Sequence, residues 1–159
     1  MSAFADTSFL FAFYFPREAS ARAVEAVQSA TEPLLITALV DFEFRQAVWF
    51  EVFLRRNGQP RGLSVEQAQT GLAAFDLDCE QGIWTTLGLQ WERLMALALE
   101  LSFKHTALTG CRAFDLLHVA SALAHDARTF LSFDLTQCEL AKAEGLAVPL
   151  VEPPGPKAA

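Results

Sequence analysis

Four acidic side chains interrupt otherwise apolar segments, and they are the residues of this chain best suited to chemistry. They are Asp6 in Phe4-Ala5-Asp6-Thr7-Ser8, Glu43 in Val40-Asp41-Phe42-Glu43-Phe44, Asp115 in Arg112-Ala113-Phe114-Asp115-Leu116-Leu117-His118, and Asp134 in Phe130-Leu131-Ser132-Phe133-Asp134. A carboxylate among phenylalanines and leucines is costly to bury unless its charge is paired. Four in four such settings point to one shared cation. An all-oxygen donor set suits a hard divalent ion, Mg2+ or Mn2+, and an ion held partly by protein is the usual engine of phosphodiester hydrolysis.

Each acid also has a structural explanation. Asp134 is followed three residues on by Gln137, an N-capping arrangement. Asp115 could cap its own helix, and Asp6 could be a turn residue before one. Glu43 differs, because it falls in the second turn of a helix, where no cap requires it. Thr7 and Ser8 follow Asp6 directly; a hydroxyl there could orient a carboxylate or a bound water, or simply cap a helix start. His118, three residues beyond Asp115, fits a buried helix histidine satisfied by one hydrogen bond better than a catalytic group. Arg112 could contact a phosphate or be an ordinary surface arginine. Arg17, Arg45, Arg55, Arg56 and Arg61 are the other basic candidates for contacting phosphates.

The elements that must position these residues alternate between strand and helix. Short buried strands are expected at Ala3–Phe4, Leu34–Ile36, Gly82–Thr85 and Thr129–Phe133, with an edge strand at Val148–Val151. Helices are expected over Phe9–Tyr14, Ser20–Ala30, from a Thr37 N-cap to about Arg56, from a Ser64 cap with Gln67 in a capping box, and over Gln90–Lys104, Asp115–His125 and Asp134–Glu144. A loop is expected over Thr106–Ala113. The alternation predicts an α/β sandwich with a mostly parallel sheet. Ligands then bind beyond the carboxyl ends of the strands, where Asp6 and Asp134 fall.

Composition sets the limits. A chain of 159 residues that is 52% hydrophobic, with 14 Phe, is long and apolar enough for one domain with a real core. Its formal charge of −7 counts against a general nucleic-acid binder, so any such binding rests on local basic residues and the metal. Cys79, Cys111 and Cys138 are odd in number and lack CxxC spacing, which argues against disulfides or zinc and fits a reducing cytoplasm. The apolar start carries Asp6 and Pro16 and is expected to be neither a signal peptide nor a membrane span. One domain is expected over residues 1–151, followed by a disordered tail at 152–159.

The chain resembles the PIN-domain ribonucleases, in particular the VapC-type toxins of bacterial toxin–antitoxin pairs. Asp6-Thr7-Ser8, Glu43, Asp115-Leu116-Leu117-His118-Val119-Ala120 and Phe130-Leu131-Ser132-Phe133-Asp134 match the family's four acidic motifs in order, over about residues 3–151. The resemblance implies a PIN-like three-layer α/β/α sandwich in which Asp6, Glu43, Asp115 and Asp134 hold one or two Mg2+ or Mn2+ ions. It also implies metal-dependent cleavage of RNA, a VapB-like antitoxin as partner, and a homodimer.

The helix carrying Glu43 is apolar on two sides. At roughly 100° per residue, Phe42, Trp49 and Phe53 form one stripe, with Phe44, Val48 and Val52 nearly opposite. Either the helix is sandwiched inside the domain, or one stripe meets a partner. Two other functions compete with a toxin: a catalytically silent PIN-fold interaction module, and a PIN nuclease of RNA processing. A neighbouring small gene for a DNA-binding antitoxin would separate the last from a toxin.

Overall fold

Short apolar runs become strands here because helices cover both faces of the sheet they form. The computed structural model describes residues 2–150. Ala3–Ala5 (β1), Leu34–Thr37 (β2), Trp84–Leu87 (β3) and Thr129–Leu131 (β4) pair in parallel, in the order β3-β2-β1-β4. The two central strands are the most deeply covered: Phe4, Ala5 and Ile36 are wholly buried, as is Phe130 beside them.

The connections explain the layers. Thr7–Tyr14 (α1) and Ser20–Ser29 (α2) link β1 to β2, and Ala38–Arg56 (α3) and Val65–Glu80 (α4) link β2 to β3. The chain then reverses across the sheet. Trp91–Leu101 (α5), a π-helical turn at Ser102–Thr106, Ala107–Thr109 (α6) and Ala113–Ala124 (α7) carry it to β4, and Leu135–Ala143 (α8) follows. Right-handed crossovers place helices on one face while the chain moves in one direction, and on the other face after it reverses. The packing agrees: α1 contacts α2, α3 and α4, whereas α7 contacts α5 and α8. The result is the expected three-layer α/β/α sandwich with a parallel sheet.

Several boundaries differ from expectation, each for a local reason. The third strand begins at Trp84 because Gly82 (φ 79°) and Ile83 spend their amides on the last carbonyls of α4. The helix expected to Lys104 gives way at Ser102 to the π-helical turn. The loop expected over Thr106–Ala113 is helical as far as Thr109, and Gly110 (φ 68°) then turns it. The helix expected from Asp115 starts at Ala113, so Asp115 is its third residue. The strand expected to Phe133 stops at Leu131. The edge strand expected at Val148–Val151 shrinks to one bridge between Ala147 and Thr129, with Pro149, which has no amide to donate, close behind. Val151 and the tail at 152–159 lie outside the described residues.

The Ser64–Gln67 capping box forms as expected. Thr37 takes the N-cap position of α3, but its hydroxyl makes no capping bond and is buried with no partner among the described residues. Along α3, Phe44, Val48 and Val52 face the core, while Phe42 (61% exposed), Trp49 (44%) and Phe53 (55%) face outward. The helix is therefore one-sided in this chain, not sandwiched. None of the described helices is long and apolar enough to cross a membrane.

Candidate active site

β1 ends at Ala5, and the next amide, that of Asp6, donates to the Leu131 carbonyl at 3.1 Å. Asp6 therefore sits at the carboxyl ends of two neighbouring strands, β1 and β4. The chain leaves these strands toward opposite faces of the sheet, and such a switch point opens a crevice.

Asp6 is wholly buried and N-caps α1. Its Oδ1 accepts from the Phe9 amide at 2.9 Å and from Ser8 Oγ at 2.8 Å, and its Oδ2 accepts from Ser132 Oγ at 2.7 Å. The two serines also tie the strand ends together: Ser8 Oγ accepts from the Phe133 amide at 2.9 Å, and Ser132 Oγ from the Asp134 amide at 3.0 Å. Burial pushes the Asp6 carboxyl up to about 6, against the hydrogen bonds from Phe9, Ser132 and Ser8 and the nearby His118, which pull it down.

Glu43 reaches the same region from the second turn of α3. Its Oε2 accepts from the Thr7 hydroxyl and lies 2.6 Å from Nε2 of the wholly buried His118. Burial acts to raise Glu43, but the hydrogen bonds from His118 and Thr7 outweigh it, and the carboxyl rests below its ordinary value. Asp115 occupies the third position of α7, where its Oδ2 accepts from the Arg112 amide at 2.7 Å. Asp134 N-caps α8, its Oδ1 accepting from the Gln137 amide at 3.0 Å. The capping roles allowed for these residues are thus present, and each engages a single oxygen.

A cleft of about 690 Å³ gathers these groups. Glu43, Asp115 and Asp134 line it together with Thr7, Ser8, Arg112 and Gln137, while Asp6 lies beneath. Glu43 Oε1, Asp115 Oδ1 and Asp134 Oδ2 accept no hydrogen bond from the described residues. By donor chemistry, a set of carboxylate and hydroxyl oxygens fits a hard divalent ion. The groups are not drawn into a cage, however: among the described residues, no three Asp, Glu, His or Cys stand close enough to hold one ion.

Of the other basic candidates, Arg17 lines the cleft and pairs with Glu51 at 3.4 Å. Arg45 is held by Asp41 and Asp76 at 2.6 and 2.5 Å, and Arg55 by the Gly62 carbonyl at 3.1 Å. Ser132, Gln137 and Phe50 were not anticipated as site residues. Phe50 had a signal, since Glu43, Ala47 and Phe50 recur at i, i+4 and i+7 on one helix face. Ser132 stood in the fourth motif with no role of its own, because its bond to Asp6 spans 126 residues.

A model of the PIN domain matches residues 3–143. Among solved structures, the fold is similar to VapC20 of Mycobacterium tuberculosis, described as a toxin that cleaves the sarcin–ricin loop. That match has 20% identity and a TM-score of 0.65, and covers 96% of this chain and 100% of that one. It is also similar to FitAcB from Neisseria gonorrhoeae, with 17% identity and a TM-score of 0.58, covering 92% and 95%. PAE2754 from Pyrobaculum aerophilum gives 16% identity and a TM-score of 0.56, covering 93% and 89%. Identities this low speak for the fold alone. No curated protein sequence matches the chain.

Proposed function

Because the chain belongs to the PIN-domain family, we propose that it is a metal-dependent endoribonuclease, the toxin of a toxin–antitoxin pair. The observation that carries this reading is the cleft itself: three carboxylates, each anchored through one oxygen, open into one space above the buried Asp6. Asp6, Glu43, Asp115 and Asp134 would hold Mg2+ or Mn2+, which when bound lowers the pKa of a water and neutralises charge on the phosphate. Thr7 and His118 fix the carboxylate of Glu43. Ser8 and Ser132 hold Asp6 at the junction of β1 and β4. Arg112, at the cleft rim, is placed to take a phosphate oxygen.

The outward stripe of Phe42, Trp49 and Phe53 supports a partner chain, a VapB-like antitoxin or a second copy in a homodimer. The odd number and spacing of the three cysteines support a cytoplasmic site of action.

A second reading has an observation in its favour. Both oxygens of Asp6 are already engaged by protein donors, and no three acids are gathered around one point among the described residues. A PIN-fold interaction module without cleavage would look the same. The deciding experiment incubates partner-free protein and RNA with Mg2+ or Mn2+, beside EDTA and an Asp115→Asn control. Discrete cuts that vanish in both controls establish the nuclease. Intact RNA with folded, metal-supplied protein favours the module.

A further inference from the structure

The cleft presents a problem of charge. Glu43, Asp115 and Asp134 line it, the whole chain carries −7, and of the two arginines present Arg17 is already engaged by Glu51. Without metal such a surface draws phosphates weakly, and with metal bound its two arginines still offer few phosphate contacts, which leaves a share of the affinity for RNA to another part of the nucleotide. The cleft supplies aromatic rings. Phe50, half-exposed on α3, and Phe114, in the first turn of α7, line it beside the carboxylates. Each ring touches another. Phe50 stacks on Phe53, with centroids 5.8 Å apart and planes 21° apart, and Phe114 lies 5.8 Å from the His118 ring that holds Glu43. Aromatic rings that line a cleft beside carboxylates offer faces on which an unstacked base can stack, whatever its sequence.

We propose that Phe50 and Phe114 form a stacking subsite for an unpaired base of single-stranded RNA, next to the bond to be cut. This rests on the nuclease reading above and assigns two residues of this chain to holding a base of the substrate. A duplex keeps its bases stacked on one another and has none to offer the rings.

The test uses the full chain and a short fluorescein-labelled oligouridylate. Binding is read by anisotropy with Mg2+ present in an Asp115→Asn background, and cleavage is followed in parallel with otherwise wild-type protein. Phe50→Ala and Phe114→Ala should each weaken binding about tenfold, and Phe50→Ala should raise KM while leaving kcat within about twofold. Phe50→Tyr should restore both. An abasic residue scanned along the RNA should reproduce the loss with an unaltered subsite, and at that position Phe50→Ala should add nothing. With at most two arginines on phosphates, the slope of log affinity against log salt should be no steeper than about −1.4.

Unchanged binding by the folded alanine variants, equal affinity for duplex, or a much steeper salt slope overturns the subsite. Stacking signatures without cleavage keep the subsite and remove the nuclease. Cleavage indifferent to both rings does the reverse, and RNA that is neither bound nor cut removes both.

Discussion

A buried carboxylate with its proton is a different object from the same group charged, and Asp6 shows the difference. Its folded pKa of about 6 stands above the ordinary 3.8, so between those values the folded chain keeps a proton that the unfolded chain has released. Stability therefore falls as pH rises through that window, and the full cost persists above it. Asp6→Asn should raise the stability of the metal-free protein at neutral pH by roughly 1–3 kcal/mol and flatten its pH dependence over that window, while abolishing cleavage. Urea melts across a pH series check the first half; a less stable variant would mean that the cap on Phe9 outweighs the burial. Glu43 has the opposite sign. Its pKa is depressed, so its contribution is present above the unfolded value and fades as pH falls through the folded one. His118→Ala removes the buried partner of Glu43 and leaves a hole, an expected loss of roughly 2–4 kcal/mol. Recovery of activity, measured as kcat, is expected in His118→Gln if its amide N–H reaches Glu43, and is not expected from a residue that only fills space.

At the scale of elements, the decisive piece is the hairpin of α3 and α4, because α3 carries Glu43 and Phe50. The ends of its helices were legible: α3 stops at Arg56, and Ser64 starts α4 with a capping box, while Gly58 turns the chain between them at φ 87°. The closeness of the connecting turn to α3 was not. A Cβ on Gly62 would lie 2.5 Å from the Glu51 carbonyl oxygen and 2.6 Å from the Arg55 amide nitrogen, both backbone atoms that cannot swing aside. Gly62→Ala should therefore force the turn off α3, lower stability by roughly 1–3 kcal/mol, and reduce activity by shifting Glu43. Thermal melts and single-turnover cleavage would register both effects. The π-helical turn was hidden for a related reason. The apolar pattern of α5 runs straight into it, and nothing in the periodicity announces that Gly110 and Cys111 must swing Arg112 back to the cleft.

For the whole molecule, the exposed aromatic stripe of α3 and the acidic cleft make two further claims. Phe42→Ser with Trp49→Ser should leave the fold intact and weaken association with a partner or a second copy, since both residues already face outward. Sedimentation over a range of concentrations checks self-association, and titration with the candidate antitoxin checks the other arm. Metal that binds only the folded state should raise the melting temperature, by mass action about 2.7 kcal/mol at a hundredfold excess over its Kd. The gain should shrink in Asp6→Asn and Asp115→Asn. A melting curve indifferent to Mg2+ and Mn2+ would count against the four acids as ligands.

Local rules read from residue types and spacing sufficed for the alternation of strand and helix, the capping box and the two apolar stripes of α3, and they singled out the four acids as candidates. Those signals act within a few residues of one another, through backbone hydrogen bonds and helical or extended periodicity. The order β3-β2-β1-β4 and its reversal of direction act over the whole chain. They bring His118 onto Glu43 across 75 residues and Ser132 onto Asp6 across 126. Only that folding decided that Asp6 lies buried beneath the cleft while the other three acids line it, because burial and long-range pairing depend on which strands become neighbours.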